Sequence, residues 1–275
     1  MVVAATANLT LDVVGDTTDN DVDIATGGVL TGDINLGGGV DDITLAAGAT
    51  LAGNVDQGAG DESFTIGDLN TFTGTADGGA GTDSVVITDG LAGTDLDDIF
   101  TSYENVTIGG AGDVYSINNA GASDIADIDM NDETTLVIDG GANVTAPVDS
   151  DAADQTVSIS NGTLTGNINQ GADDDSVIID PTGTYAGAID QGTGDDSISI
   201  DIDTGNFTGS TDGNGGTDTI AFNSTVDQTL DGTVPTNTNY EVLSLDGDST
   251  WTIVPTTPSY DTTVSYTHLR AHETT

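Results

Sequence analysis

The chain contains no cysteine and almost no basic residues. Its 275 residues include 47 Asp and Glu, one Arg and two His, which gives a formal net charge of -46. Arg270, His268 and His272 all lie in the last eight residues. Without cysteine, neither disulfides nor thiol chemistry can contribute. Nucleic acid and anionic membrane surfaces are excluded as partners, because binding to either depends on Lys and Arg.

Most catalytic chemistry is also missing from this composition. Nucleophilic triads need a His or Lys base, zinc sites usually use His or Cys, and phosphate-binding loops use Lys. None of these residues occurs before Thr267. Paired carboxylates could still hydrolyse glycosides, but the adjacent pairs Asp174-Asp175 and Asp195-Asp196 lie on a turn that recurs along the chain. A catalytic pair should be unique, so we interpret these as solvated turn carboxylates and expect no enzyme activity.

No targeting signal or membrane segment is evident. No stretch approaches the roughly 18 apolar residues that a spanning helix requires. The first residues, MVVAATA, have no basic region and too short an apolar run for a secretory signal. We therefore expect no direct insertion of this chain into a membrane.

What the chain does contain is one short pattern in six copies. The copies begin at Leu30, Leu51, Phe72, Leu164, Tyr185 and Phe207. Their spacing within each group of three is about 21 residues, a period typical of a solenoid. Each copy reads apolar, x, Gly, x, mostly apolar, Asn or Asp, a Gly-rich acidic turn, and then apolar, x, apolar. Disorder is a competing interpretation of such a Gly- and Asp-rich chain, but strict apolar columns are not expected of a low-complexity tail.

Two columns show how the copies fold. A glycine recurs at one phase, which marks a bend or a close approach of backbones: Gly32, Gly53, Gly74, Gly166, Gly187 and Gly209. An apolar pair at i and i+2, such as Ile43 and Leu45, predicts a short half-buried strand. Coils this short bury an apolar face only by stacking. We predict an all-β fold, a right-handed parallel β-helix or β-solenoid of roughly a dozen coils, with one ladder of like residues along its axis.

Larger units are duplicated as well. The second three copies follow the first at an offset of 134 residues, from Leu30 to Leu164, and each group is followed by a related tail in which Tyr103-Glu104 corresponds to Tyr240-Glu241. We predict one solenoid over residues 1–264 with two duplicated modules, over about 24–117 and 158–254. Residues 265–275 change composition abruptly and resemble a translated sequencing adapter, so we predict that they are a non-native tail.

An acidic residue occupies the Gly-rich turn of every copy. These are the predicted metal ligands: Asp41, Glu62, Asp83, Asp175, Asp196 and Asp218. Carboxylates stacked about 4.8 Å apart repel by roughly 0.9 kcal/mol in water, and by more in a half-buried turn. With no Lys or Arg nearby, Ca²⁺ is the cation best suited to relieve that repulsion.

The acidic turns also allow two roles that involve no specific metal site. They could hold cations loosely, or hold none, because Asp and Asn also stabilise turns by bonding to their own backbone. A second column of Asn and Asp fits this equally well: Asn35, Asp56, Asp77, Asn169, Asp190 and Asp212.

Two family resemblances follow from these motifs. The turn from Gly78 to Val85, GGAGTDSV, is similar to the calcium-binding nonapeptide of β-roll proteins. Segments such as LTGNINQGADDDSVII and FTGTADGGAGTDSVVI, closed by YEVLSLDGDSTWTIV, resemble the repeat region of autotransporter-type surface proteins and related bacterial β-strand-repeat adhesins. The second resemblance implies a β-helical passenger outside a Gram-negative cell, tethered by a carboxyl-terminal outer-membrane barrel that this sequence lacks.

The function expected from this resemblance is structural and adhesive. The chain would be a secreted or cell-surface stalk that presents an acidic, Thr- and Asn-rich face to other cells, surfaces or glycans, with Ca²⁺ as a stiffening cofactor. The alternatives are a β-helix carbohydrate-active enzyme that uses carboxylates, and an acidic surface-layer, halophilic or calcium-binding β-roll protein. An interrupted coil that gathers unique acids in a groove would favour the enzyme, whereas an unbroken column would favour the stalk.

Overall fold

The fold is a parallel β-solenoid of about 11 turns. The computed structural model describes residues 1–67, 71–89, 91, 94–203, 207–226, 228–230, 236–246, 251–253 and 263–266. The predicted all-β class and the coil length are confirmed, since paired strands follow one another at steps of about 21 residues. The proposed tail falls outside the described residues from position 267 onward, and its non-native origin stays a prediction.

The described elements are 35 short strands and a single helical turn. In chain order, the first strands are β1 Val2–Val3, β2 Asn8–Thr10, β3 Val13–Val14, β4 Asp21–Ile24, β5 Val29–Thr31, β6 Ile34–Asn35, β7 Asp42–Leu45, β8 Thr50–Ala52, β9 Val55–Asp56, β10 Ser63–Ile66, β11 Thr71–Thr73, β12 Ala76–Asp77, β13 Ser84–Ile87 and β14 Thr94–Asp95. After the helix α1 Leu96–Ile99 come β15 Phe100–Thr101, β16 Asn105–Ile108, β17 Val114–Ile117, β18 Gly121–Ala122, β19 Asp127–Met130, β20 Thr135–Ile138, β21 Ala142–Val144, β22 Val148–Ser150, β23 Thr156–Ile159, β24 Thr163–Thr165 and β25 Ile168–Asn169. The last are β26 Ser176–Ile179, β27 Thr184–Asp190, β28 Ser197–Asp201, β29 Phe207–Asp212, β30 Thr219–Asn223, β31 Gln228–Leu230, β32 Thr236–Thr238, β33 Val242–Asp246, β34 Trp251–Ile253 and β35 Thr263–Tyr266.

A regular coil contributes three strands, and each strand pairs in parallel with its equivalents in the coils before and after it. Two long stacks of strands matter for the candidate site. Stack A contains β1, β4, β7, β10, β13, β16, β19, β22 and β25 and continues into β27 and β29. Stack B contains β14, β17, β20, β23, β26, β28, β30, β33 and β35. Shorter sheets, such as β2–β5–β8–β11, complete the coils.

The apolar columns form the core, as the i, i+2 pattern predicts. Ile43 lies beside Phe64, Phe64 beside Val85 and Val85 beside Val106 in register, and the side chains of all four are buried. The region from 118 to 157 continues the solenoid without a break, through strands that include β19, β20, β22 and β23.

The expectation of one ladder along the whole axis is wrong. The column of the first module, which starts at Ile43, continues through Ile128, Val148 and Ile168 to Ile189 in stack A. The equivalent column of the second module, Val177, Ile198 and Ile220, lies in stack B. Corresponding segments of the two modules therefore lie on different faces of the solenoid. The offset of 134 residues explains this, because it exceeds six coils of about 21 residues by roughly a third of a coil.

Candidate functional site

The six predicted ligands lie in two separate groups at two different corners of the coils. Asp41, Glu62 and Asp83 precede strands of stack A, and Asp175, Asp196 and Asp218 precede strands of stack B. None of the six side chains is more than 2% exposed. The sequence pattern placed these acids on turns, and the structure turns their side chains into the interior.

The first group extends into what we call the first ladder: Asp41, Glu62, Asp83 and Glu104. An Asp41 carboxylate oxygen accepts a hydrogen bond from the backbone N–H of Asn20 in the preceding coil at 2.7 Å. Asp83 accepts from the N–H of Glu62 at 2.8 Å, and Glu104 accepts from the N–H of Asp83 at 2.8 Å. Asp41, Asp83 and Glu104 therefore each bond to the backbone of the preceding coil, whereas both Glu62 carboxyl oxygens lack a hydrogen-bond partner.

The second ladder repeats this arrangement with Asp175, Asp196, Asp218 and Glu241. Asp196 accepts from the N–H of Asp175 at 2.8 Å, Asp218 from the N–H of Asp196 at 2.9 Å, and Glu241 from the N–H of Asp218 at 2.9 Å. Below them, Asp175 accepts from the N–H of Gln155 at 2.7 Å. Because both modules build the same ladder, it is a property of the repeat.

Each of the six predicted ligands keeps at least one buried oxygen without a hydrogen-bond partner in the described part of the chain. These atoms are Asp41 Oδ2, both Glu62 carboxyl oxygens, and Oδ2 of Asp83, Asp175, Asp196 and Asp218. Buried polar atoms are normally paired, so this concentration of unpaired oxygens needs a physical cause.

Burial and mutual repulsion change the acidity of the ladders. Desolvation by burial raises the pKa of Glu62 to about 8, with further contributions from contact with the Asp83 carboxyl and from the charges of Asp83, Asp41 and Asp61. Desolvation likewise raises the pKa of Asp175 to about 7 and that of Asp196 to about 6, although a backbone N–H bond opposes each shift. The pKa of Asp218 is raised for the same reason.

A Tyr–Gln pair closes the end of each ladder, and the sequence pattern did not predict its role. The Tyr103 hydroxyl donates to Gln57 Oε1, and the Tyr240 hydroxyl donates to Gln191 Oε1 at 2.9 Å. Each tyrosine reaches a glutamine two coils away. Glycine, Gly78 or Gly213, occupies the glutamine position in the coil between. The duplicated Tyr-Glu pairs are the sequence feature that could have indicated this role. The Glu is the last residue of each ladder, and the Tyr makes the hydrogen bond to the glutamine.

Outside the buried ladders, Asp and Asn side chains form exposed ones. Asp154 accepts from the N–H of Asp174 at 2.9 Å, and Asp174 from the N–H of Asp195 at 2.8 Å. In the second column, the Asn35 side-chain amide donates to Asp56 at 2.9 Å. These contacts favour a structural role for the exposed acids, as their turn chemistry predicts.

One further acidic cluster lies in the middle of stack A. Carboxylate oxygens of Asp127, Asp129 and Asp149 lie within 4.8 Å of one another. Desolvation by burial raises the pKa of Asp129, and the charges of Asp127 and Asp149 add to the shift. Acidic groups in such a cluster can take up a cation, although clusters of this kind are also common without one. Calcium binding, here and at the six predicted ligands, stays a prediction.

The solenoid is interrupted at the coil that contains α1. From Ala76 to Phe100 the paired positions advance by 24 residues, and α1 occupies the extra length. Beside it lies a cavity of about 150 Å³ whose lining includes Asp97, Tyr103 and Asp124. Desolvation by burial raises the pKa of Asp97 to about 6, against an opposing hydrogen bond from Ser123.

Comparison with known families, curated proteins and solved structures finds no match to this chain. Among the described residues, no helix is long and apolar enough to cross a membrane. The assignment of a function therefore depends on the geometry.

Proposed function

We propose that the chain is a structural and adhesive stalk displayed outside the cell, as its repeat style resembles that of autotransporter-type passengers. The observation that carries the proposal is the register of the coils, which stack in parallel from Val2 in β1 to Asp246 in β33. About 11 turns spaced about 4.8 Å apart give a body about 50 Å long. Such a rod offers long side faces, which suit adhesion.

One side face of this acidic chain has a long uncharged stretch. We call the first two outward-facing positions of each strand from β17 to β33 in stack B the neutral strip: Val114, Ser116, Thr135, Val137, Thr156, Ser158, Ser176, Ile178, Ser197, Ser199, Thr219, Ala221, Val242 and Ser244. None of them is charged. Seven strands at about 4.8 Å spacing make the strip about 30 Å long. Its hydroxyl groups can hydrogen-bond to neutral glycans. Such glycans carry no negative charge, so the acidic faces of the chain do not repel them.

Adhesion can be tested with beads coated with the purified chain. We expect the beads to attach to a surface of neutral polysaccharide, and the double variant Ser158→Asp, Ser199→Asp to lose at least tenfold in attachment. The matched control is Thr44→Asp, Thr107→Asp, which adds the same charge to outward positions of stack A. Equal attachment by both variants, or no attachment by the unmodified chain, would contradict the proposal.

The interrupted coil supports a second candidate, a carboxylate glycosidase. An interruption that gathers acids in a groove is the feature expected to favour an enzyme, and Asp97 and Asp124 both line the cavity. Retaining and inverting glycosidases use two carboxyl groups, one of them with a raised pKa. The test is release of reducing sugar from a polysaccharide panel by the chain and by Asp97→Asn, with exposed Asp23→Asn as control. No release by the unmodified chain would reject this candidate.

A further inference from the structure

The buried ladders need something to neutralise their charge. Six carboxyl groups are at most 2% exposed and carry buried oxygens without partners. No Lys, Arg or His occurs in the described residues, because all three basic residues lie beyond position 267. An isolated ionised carboxylate is too costly to bury, so such a group binds a cation or becomes protonated.

The geometry does not fit a resident Ca²⁺. Calcium takes six to eight oxygen ligands at about 2.3–2.6 Å, whereas an Asp in a ladder offers a single unpaired oxygen per coil and coils are about 4.8 Å apart. A glycine also lies close beside two of these oxygens. Asp83 Oδ2 lies 2.8 Å from the position a Cβ would take on Gly78, and Asp218 Oδ2 lies 2.6 Å from the equivalent position on Gly213.

Protons fit the same geometry. The carboxyl groups of Glu62 and Asp83 lie in neighbouring coils, and both carry buried oxygens without a hydrogen-bond partner. Two carboxylates are acceptors only, so they can bond to each other only if one of them carries a proton. We propose that protons held by stacked carboxyl groups, and not Ca²⁺, neutralise the ladders, so that the folded solenoid carries bound protons at neutral pH and loses stability as they dissociate. This inference does not depend on the adhesive function.

The groups that face the ladders add no positive charge. Around the first ladder they are Asp41, Asp61, Asp77, Asp83 and Tyr103, and around the second they are Asp154, Asp173, Asp174, Asp195, Asp212, Tyr240 and Glu241. Every one is an acid or a tyrosine, and burial raises the pKa of both tyrosines. No positive charge nearby therefore favours an ionised ladder, and the backbone N–H groups that bond to Asp175, Asp196 and Asp218 are what opposes protonation.

The sign of the pH effect follows from linkage. Glu62 has a folded-state pKa of about 8, against about 4.3 in an unfolded chain. The folded state alone holds this proton between those values, so its contribution to stability is complete below about pH 4.3 and is lost as the pH rises through 8. Within that window, each such proton changes the unfolding equilibrium constant about tenfold per pH unit.

The direct test is a carboxyl titration by NMR. The chain has five glutamates, Glu62, Glu104, Glu133, Glu241 and Glu273, so selective ¹³C labelling at the glutamate carboxyl gives five signals. We expect the Glu62 signal, assigned through its backbone, to titrate near pH 8 in EDTA. A midpoint near the ordinary glutamate value would overturn the proposal. This test needs no variant and therefore does not depend on a variant folding.

The second test measures denaturant unfolding in EDTA from pH 5 to 9. Glu62→Gln removes one proton that the folded state retains. The change of the unfolding equilibrium constant with pH should therefore become smaller, by up to about one factor of ten per pH unit. Glu133→Gln, a change at an exposed glutamate, should leave the pH dependence as it was. Asp196→Asn applies the same test to the second ladder. An identical pH profile for Glu62→Gln, Asp196→Asn and the unmodified chain would contradict the proposal.

A third test asks whether Ca²⁺, and not protons, occupies the ladder. The NMR titration is repeated in millimolar CaCl₂ and in NaCl of equal ionic strength. If protons occupy the ladder, the Glu62 midpoint should be the same in both salts. A lower midpoint in CaCl₂ alone, with a gain in stability that Glu62→Gln abolishes, would show that the cation occupies the ladder and would overturn the proposal.

Discussion

Glycine at the coil corners occupies positions where a side chain would collide with the coil below. Gly74 has a φ of +146°, and a Cβ added there would lie 2.1 Å from the carbonyl oxygen of Gly53. The recurrence of glycine at one phase of the repeat is enough to predict this close approach, because few other roles require glycine in every copy.

Gly74→Ala should destabilise the chain by about 2–4 kcal/mol, because it combines an unfavourable φ with a backbone clash. The measurement is the free energy of unfolding in denaturant. Gly215→Ala is the matched control, since a Cβ there meets nothing within 4 Å. Equal stability of the two variants would show that the coils are not in contact at Gly74.

The tyrosine at the end of each ladder makes a second prediction. Tyr103→Phe leaves buried Gln57 Oε1 without its donor, which should cost about 1–3 kcal/mol. Tyr240→Phe should cost a similar amount, because Tyr240 makes the same contact with Gln191. Chemical denaturation measures both, with Val2→Thr at an exposed position as control. A loss in one variant alone would contradict the equivalence of the two modules.

At the scale of elements, the repeat pattern predicted the strands but not their arrangement on faces. Alternating apolar residues such as Ile43 and Leu45 identified strand positions, and both are fully buried. The same pattern could not show that Ile168 continues the column of Ile43, because the duplicated modules are locally alike. Only the offset between them, which is not a whole number of coils, carried that information.

The interrupted coil depends on an aromatic cluster. The ring centroid of Phe100 lies 6.2 Å from those of Phe64 and Phe72 and 5.8 Å from that of Tyr103. The extra residues around α1 break the repeat. The repeat columns of the sequence therefore did not predict the contacts of the Phe100 ring.

Phe100→Ala should cost about 3–5 kcal/mol, because it removes a buried ring from a packed cluster. Hydrogen exchange should show the largest loss of protection at β12 in the preceding coil and at β16, which follows Phe100 in its own coil. Val226→Ala, at a position 51% exposed, serves as control and should change stability by less than about 0.5 kcal/mol. A similar small effect of Phe100→Ala would mean that the cluster does not hold the interrupted coil.

At the scale of the molecule, the duplicated modules give a rod with two acidic ladders on different corners. The composition alone shows that the chain is acidic and that no basic side chain before Thr267 can pair with its carboxylates. It could not predict that the ladder acids are buried, because the residues of a Gly-rich turn can face either side. Asp175 and its neighbour Asp174 illustrate this, since Asp175 belongs to the buried ladder and Asp174 to the exposed one.

Equivalent residues of successive coils lie side by side in this fold, and paired cysteines test that register most directly. Because the chain has no cysteine, any disulfide must come from the introduced pair. Thr44 and Thr65 are register partners on outward positions of β7 and β10, whereas Val86 lies one coil further on. Strands about 4.8 Å apart allow a disulfide, and a separation of two strands does not.

The measurement is the fraction of chains that acquire an internal disulfide under mild oxidation, read by mass spectrometry after digestion. The parallel register predicts nearly complete bridging for Thr44→Cys with Thr65→Cys and almost none for Thr44→Cys with Val86→Cys. Equal bridging of the two pairs, or bridging of the second pair alone, would contradict the register on which the fold, the ladders and the proposed stalk depend.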